Sequence, residues 1–475
     1  MIRPNLGTTA SREPGSLPHF GRAVTLTSVS TFVAMLAYAG PLGNAPTLTR
    51  SLGASPAETT WILSSMSVGL AVTLLTVGAL ADDYGRRRVF TTGAWVFAAG
   101  SALSAAATGP TLLVLGRLVE GAGAAGMVAT GLGLVAAATA HASHQVAAAS
   151  WWGASLGAGI AVGPVLTGLL DLLEWWRVFY WLLAASGAAI ALAGARLFTE
   201  TPANSSRRID LLGAGLMTSG IGLLLVALVE ARQGRVGLTA SCGVVAAASL
   251  AAFAVSQIRG RHPMLEPALF RRPDFVAATM AALATGAGVI ALMSFAGTFL
   301  VTGMGLTTLG AGALLGLWSG TSAVSAVLAR RLPQRLAGHP QLVLGLVGVG
   351  IGMLLLTGID TGSSPWRLVP GLVVAGLASG VLNAGLARQA VASVPPDRAA
   401  LGAGINNTAR YVGSSIGVTL VSVLATAPRG HTAALVSGWN QVAVLTATVS
   451  LAGAGAVAAS ARPRTRRSHD REVPR

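Results

Sequence analysis

The chain has 475 residues, of which 53% are hydrophobic and only 10% charged, with a mean hydropathy of +0.67. A soluble globular domain carries about 25% charged residues, so this chain cannot solvate a surface of its own size and is expected in lipid. The net charge of +16 comes from arginine alone, with no lysine, and its distribution follows membrane topology rather than a nucleic-acid face.

In chain order, residues 1–23 hold Arg3, Arg12, Glu13 and Arg22 but no apolar core, and read as a cytoplasmic tail instead of a cleaved leader. Apolar runs long enough to cross a bilayer, about 20 residues each, follow near 24–43, 58–80, 89–108, 111–139, 145–170, 177–198, 209–230, 237–258, 275–300, 306–329, 341–359, 367–393, 400–426 and 436–460. Helices are required, because every backbone polar group in lipid must be satisfied within its own segment. Fourteen spans are therefore expected. They divide into an N-terminal six-helix bundle (24–200), a central two-helix insertion (201–262), a C-terminal six-helix bundle (263–460) and a cytoplasmic tail (461–475).

Orientation follows from the arginines. With the N-terminus placed in the cytoplasm, inside segments hold 23 of the 32, outside segments hold 6, and Arg117, Arg388 and Arg410 fall within spans. An excess near four to one places both termini inside.

The loop between the second and third runs reads Gly78-Ala79-Leu80-Ala81-Asp82-Asp83-Tyr84-Gly85-Arg86-Arg87-Arg88. A carboxylate at Asp82 is suited to face the positive N-terminal end of another helix, worth about 0.3–1 kcal/mol when exposed and more when buried. The start of the thirteenth run, with Arg398, is its natural partner. Gly85 permits a tight turn, and Arg86–Arg88 suit anionic lipid headgroups or simply set topology.

The fourth run carries Arg117 and Glu120. Of the sixteen acids, Glu120 alone falls near mid-depth. It lies about ten residues, or roughly 15 Å, from the outer end of its span. A lone carboxylate there costs about 2.5–3.5 kcal/mol even on the milder insertion scale. Burial and the arginine one turn earlier pull its proton affinity in opposite directions, which suits proton exchange. A static Glu120–Arg117 pair that only fixes helix geometry is the other reading.

In the fifth run, Gly153 and Gly157, then Gly159 and Gly163, recur at spacing four, so each pair lies on one helix face and lets backbones approach. Pro164 removes a donor and bends the helix. Together with Gly168 this reads as a hinge and seal, or as plain packing. Tyr38, Asn44, Trp61 and Asn383 are candidate cavity liners. So are Asn406, Asn407 and Arg410 in the thirteenth run, although the asparagine pair equally suits helix-to-helix hydrogen bonding. Arg388 lies near a cytoplasmic end, where it can snorkel. Trp151, Trp152, Trp175 and Trp176 suit interfacial anchoring. His141 and His144 have no third ligand nearby, and the single Cys242 offers neither a disulfide nor a cysteine cluster. No metal or cofactor site is expected, and with no Walker-type loop no nucleotide site is expected either.

The 78–88 loop resembles the signature of the major facilitator superfamily, G-x-L-A-D-R-x-G-R-R, with Asp83 departing from it. Arg117-Leu118-Val119-Glu120-Gly121-Ala122-Gly123-Ala124-Ala125 resembles the family's R-x-x-Q-G-x-G-A-A. Gly157 to Gly168 resembles the antiporter motif G-x-x-x-G-P-x-x-G-G, and Pro396 to Arg410 resembles the start of the eleventh core helix. With fourteen spans, the resemblance points to the drug–proton antiporter branch. It implies an all-α integral membrane fold of two six-helix bundles plus two central extra helices. It implies export of an amphiphilic small molecule against a proton across the bacterial plasma membrane, by a monomer that alternates access. Gly78, Asp82, Gly85, Arg86 and Arg87 would form the cytoplasmic gate, and Gly159, Gly163, Pro164 and Gly168 the outer seal. The branch's usual acid in the first span is replaced here by Ala37. The Arg330–Arg335 loop lacks the Asp of a second gate motif, and Glu174 to Tyr180 is one residue short of W-R-W-x-F. These gaps leave Glu120, with Arg117, as the candidate proton site. A transporter of an endogenous metabolite, or a membrane-embedded sensor or enzyme, are the alternatives.

Overall fold

The computed structural model describes residues 17–137, 142–200, 210–231, 233–260, 263–424 and 432–460. The tail 461–475, most of the tail 1–23, the segment 201–209 and His141 lie outside them. Every regular element among the described residues is helical.

The long helices are α1 Leu17–Ala39, α2 Pro56–Tyr84, α3 Arg86–Ala105, α4 Pro110–Ala137, α5 Ala142–Asp171, α6 Trp176–Leu197, α7 Leu211–Ala231 and α8 Val236–Arg259. They continue with α9 Pro273–Gly303, α10 Thr308–Leu328, α11 His339–Leu354, α12 Val369–Ala392, α13 Ala399–Leu424 and α14 Thr432–Ser460. A short helix, Ala45–Leu52, joins α1 to α2.

Among the described residues, eleven helices are long and apolar enough to cross a membrane, against the fourteen spans expected. Three fall outside that number. α3 begins with three arginines and α13 carries Asn406, Asn407 and Arg410, so their composition is too polar. α11 has only 16 residues.

Local chemistry sets the ends of α2. Ser55 accepts the Glu58 N–H through Oγ at 3.3 Å while Glu58 Oε2 accepts the Ser55 N–H at 2.8 Å, and Pro56 fills the first helical position. Both partners of this capping box satisfy otherwise orphaned donors. The helix stops at Gly85, whose φ of 113° is open to glycine and strained for other residues. α3 starts at the next residue. Pro164 lies inside α5, which nevertheless runs on to Asp171.

Buried apolar side chains form two large clusters. One spans α1 to α6 with Ile221 and Leu225 of α7. The other spans α9 to α14. A smaller cluster joins the halves near the C-terminal end of α2, where Leu75 and Ala79 meet Leu269, Phe275, Leu401 and Ile405. α7 packs on the N-terminal half, with Thr76 and Thr218 hydroxyls 3.1 Å apart and Trp61 Nε1 donating to Glu230 Oε1 at 2.9 Å. It also touches the other half, where Thr419 Oγ1 donates to Leu228 O at 3.4 Å.

Two of the four tryptophans expected at the interface are core residues. Trp151 and Trp175 are exposed, whereas Trp152 and Trp176 are 2% and 3% exposed. Each buried ring follows an exposed one, and one step along a helix turns it by about 100°, from the outer face to the inner one. Trp176 lies edge-on to Tyr180, and Arg177 stacks over it at 4.2 Å.

Candidate functional site

The signature loop closes one end of the cleft between the halves. Asp82, 8% exposed, accepts backbone N–H groups of Ala400 through Oδ1 at 3.2 Å and of Leu401 through Oδ2 at 2.8 Å. These are orphan donors of the first turn of α13, and a carboxylate there completes the helix end and opposes its dipole. Arg86 holds the same carboxylate from the other side through Nε at 2.9 Å. It also donates to Gly133 O within its own half and to Pro396 O across the cleft, at 3.2 and 2.8 Å. Gly78 makes the approach possible. A Cβ there would stand 2.6 Å from Ala400 O.

Arg398 does not reach Asp82. Its Nη1 is 3.4 Å from Asp83 Oδ1, and its Nη2 is 3.9 Å from Glu266. The residue that departs from the signature is thus the one that pairs across the halves. Arg87 instead braces its own half, its backbone N–H donating to Glu200 Oε1 at 3.2 Å and its side chain to Ala195 O at 2.6 Å.

Away from that end a cavity of about 300 Å³ lies between the halves. Its wall on α2 runs from Thr59 to Val68. Val68 and Asp82 are fourteen residues apart, about 21 Å along the helix. The cavity therefore begins beyond the closed end and extends toward Leu42, Thr59 and Leu228. Tyr38, Asn383 and Arg410 line it. Met35, Leu63, Leu156, Ile160, Met293 and Trp318 give it apolar surface, and hydroxyls from Ser64, Ser67, Ser319, Ser322, Ser379, Ser414 and Thr419 punctuate it. α9 contributes Val289 and Ile290 from a stretch wound as a π-helix, Gly286–Ile290.

The other predicted liners stand elsewhere. Trp61 is bonded to Glu230 on α7. Asn44 is buried just before the short helix, with neither amide atom bonded among the described residues. Asn406 donates to Ala278 O at 3.0 Å and ties α13 to α9, while Asn407 donates to Ala403 O within its own helix. Arg388 donates to Gln341 Oε1 at 2.6 Å.

Glu120 and Arg117 are fully buried inside the N-terminal half and are not among the lining residues of the cavity. Arg117 Nη1 is 3.6 Å from Glu120 Oε2. The guanidinium also donates to Ile62 O on α2 at 2.9 Å and to Ala37 O on α1 at 3.2 Å. Both oxygens of Glu120 lack a hydrogen-bond donor among the described residues. Arg117 reaches the backbone of α1 at Ala37, the residue before the liner Tyr38.

The glycines of α5 serve two contacts. A Cβ on Gly159 would come 2.7 Å from Met35 Cβ, and one on Gly163 would come 2.8 Å from Leu36 O, both on α1. On the other face, a Cβ on Gly157 would meet Ser319 O at 3.2 Å and one on Gly153 would meet Ala384 N at 3.1 Å, across the cleft. Gly168 lies against Gly43, and Thr167 Oγ1 donates to Gly40 O at 2.6 Å. One helix thus packs firmly on its own half and closely against the other.

Helices latched at one end around a polar-spotted apolar cavity are what a solute carrier needs, and the family pattern agrees. The major facilitator superfamily pattern matches residues 27–418. The chain belongs to the major facilitator superfamily. It is a membrane-spanning transporter and not an enzyme. A probable actinorhodin transporter of Streptomyces coelicolor is 31% identical, over 80% of this chain and 68% of that protein. The multidrug resistance protein Stp of Mycobacterium tuberculosis is 30% identical, over 80% and 71%. The tetracenomycin C resistance and export protein of Streptomyces glaucescens is 26% identical, over 80% and 71%. Among solved structures, the human organic anion transporter MFSD10 superposes with a TM-score of 0.68 at 18% identity, over 92% of this chain and 99% of that one. The proton:xylose symporter XylE gives 0.67 at 13%, over 92% and 94%. Those two likenesses concern the fold.

Hydroxyl liners on α2, α10 and α13 escaped the sequence reading. Their signal is spacing: Ser64 and Ser67, Ser319 and Ser322, and Ser415 and Thr419 recur at three or four residues, on one helix face each.

Proposed function

We propose that this superfamily member exports amphiphilic small molecules across the bacterial plasma membrane by proton-coupled alternating access. The observation that carries the reading is the cavity between the halves, closed at the Asp82 end and lined mainly by apolar side chains with scattered hydroxyls. Relatives named as antibiotic or multidrug exporters support the direction and the amphiphilic cargo. In this reading the Asp82 end is cytoplasmic, as the arginine excess requires, and the conformation is the outward-facing one. The gate opens when α13 leaves Asp82, and α5 rocks on its Gly153–Gly157 face.

All fourteen long helices cross the bilayer in this proposal, as two six-helix bundles with α7 and α8 inserted. α3 and α13 tolerate polar residues because Arg86, Asn406, Asn407 and Arg410 are buried in protein, all at most 6% exposed, while Arg87 and Arg88 stand outside the core at the first turn of α3. The transporter acts as a monomer in the bilayer.

Glu120 is proposed as the proton carrier. Its carboxylate is held by one ion pair and no hydrogen bond, so a shift of Arg117 toward Ala37 or Ile62 changes what the charge costs. The test is uptake of a compound panel into inverted membrane vesicles, with and without an imposed proton gradient. Gradient-dependent accumulation of amphiphiles is expected. Uptake that ignores the gradient removes the coupling, and no uptake of any amphiphile removes the export reading.

A further inference from the structure

We infer that the cavity selects amphiphilic organic anions, with Arg410 as the residue that receives the anionic group. The inference rests on the export reading for what the cavity is for, but its charge preference stands on the wall itself.

Four arginines are buried among the described residues: Arg86, Arg117, Arg398 and Arg410. Three of them have carboxylate partners, respectively Asp82, Glu120 and Asp83. No ion pair is found for Arg410 among the described residues, although it is 5% exposed. Its Nε and Nη2 atoms are buried without a hydrogen-bond acceptor. A guanidinium always carries its charge, and a buried charge without a partner is costly. An arginine near mid-membrane therefore calls for a counter-charge, and its planar fork fits a carboxylate, sulfonate or phosphate in a bidentate manner.

The surroundings decide where that counter-charge comes from. Arg410 lines the cavity, and none of the described lining residues is an aspartate or glutamate. The other described lining residues are neutral, among them Tyr411 and Ser414 on α13, Thr285 on α9 and Ser379 on α12. Ser379 Oγ is likewise buried without a partner. The wall thus presents one unmatched cation and a spare hydroxyl, beside the apolar surface of Met35, Leu156, Met293 and Trp318. An anionic head on Arg410 with an aromatic or aliphatic body against that surface satisfies both. An organic cation would leave Arg410 unmatched and add like-charge repulsion.

Two xanthene dyes with similar ring systems and opposite charge at pH 7.4 provide the test: anionic fluorescein and cationic rhodamine 6G. Binding to purified full-length protein in nanodiscs is read by fluorescence anisotropy. The wild-type protein is expected to bind fluorescein at least about tenfold more tightly than rhodamine 6G, as expected for a charge-assisted contact. Arg410→Gln should bring the two affinities within about twofold of each other, chiefly by weakening fluorescein, and Arg410→Lys should keep part of the preference. Equal or tighter binding of rhodamine 6G by the wild-type protein overturns the inference, as does no binding of either dye. An Arg410→Gln variant that keeps both its melting temperature and the anion preference also overturns it. The wild-type comparison stands even where that variant fails to fold. Reconstituted flux of the compound panel separates the two readings: anion-selective binding with no movement of any panel compound refutes export and leaves the anion site standing.

Discussion

Asp82 of α2 and Leu401 of α13 lie more than three hundred residues apart in sequence, yet Oδ2 of the first accepts the backbone N–H of the second at 2.8 Å. Through that bond a side chain of one half completes the helix end of the other. Asp82→Asn keeps an acceptor but loses the charge that opposes the α13 dipole and holds Arg86. Charge-assisted bonds of this kind are worth about 2 kcal/mol in partly buried settings. We expect flux in proteoliposomes to fall about tenfold or more, with membrane insertion and substrate binding retained. Flux at the wild-type level would reduce the signature loop to a topology signal.

Asp83 and Arg398 form a second, weaker arm across the same end, at 3.4 Å. The start of α13 is the partner expected for Asp82, but its backbone makes the contact and the Arg398 guanidinium goes to Asp83. Each single neutralisation, Asp83→Asn or Arg398→Gln, should lower flux by about two- to fivefold, less than Asp82→Asn. The double variant should cost less than the product of the singles, because contacting residues are coupled by about 0.5–3 kcal/mol. Strict multiplicativity would show the pair to be energetically idle.

The latch was largely legible because it is local: turn glycine, carboxylate and arginines stand within eleven consecutive residues, and only their partner was distant. The cavity was legible in part. Tyr38, Asn383 and Arg410 could be named as rare polar residues in apolar runs, but Trp61 and Asn406 share that description and point at other helices. Which way a polar residue faces depends on helix rotation, which weak amphipathicity in a bilayer protein barely encodes. The same ambiguity hid the inward turn of Trp152 and Trp176. Span counting differs at α3 and α13, whose arginines and asparagines lower their hydropathy, and at α11, which has only 16 residues.

The hairpin α7–α8 should move with the N-terminal half. Thr76 and Thr218 touch at 3.1 Å and Trp61 is bonded to Glu230, whereas the other half offers one 3.4 Å bond from Thr419 and the apolar cluster that Ala214 and Phe253 share with Leu401 and Ile405. In a Cys242→Ser background, a Thr76→Cys/Thr218→Cys disulfide should leave more than about half of the flux, as expected for a contact that persists through hinge or rocking motion. A short thiol cross-linker joining Asp83→Cys to Arg398→Cys should stop transport. Loss of flux on joining Thr76→Cys to Thr218→Cys would make the hairpin a moving part.

Orientation is tested independently. Cysteines placed at Ser205 and Ser468 should react with membrane-impermeant maleimide only in inverted vesicles or broken cells, because the arginine excess puts both segments inside. Labelling of either site in intact cells would overturn the fourteen-span arrangement and the assignment of the Asp82 end.

Glu120 provides the test of coupling. Replacing it with glutamine keeps the side chain's shape within the N-terminal half and removes the exchangeable proton. Arg117 would then keep its bonds to Ile62 O and Ala37 O but lose its counter-charge 3.6 Å away. Breaking a buried ion pair on one side costs about 3–5 kcal/mol, so the variant's melting temperature must be measured beside its transport. If Glu120 carries the proton, gradient-driven accumulation should collapse while substrate exchange without a gradient survives. If the pair only fixes helix geometry, both should fall together, in step with stability, and Arg117→Gln combined with Glu120→Gln should recover them. Wild-type accumulation by a stable Glu120→Gln protein would leave coupling to another group, and the cavity would then have to be searched from Tyr38 and Tyr411 outward.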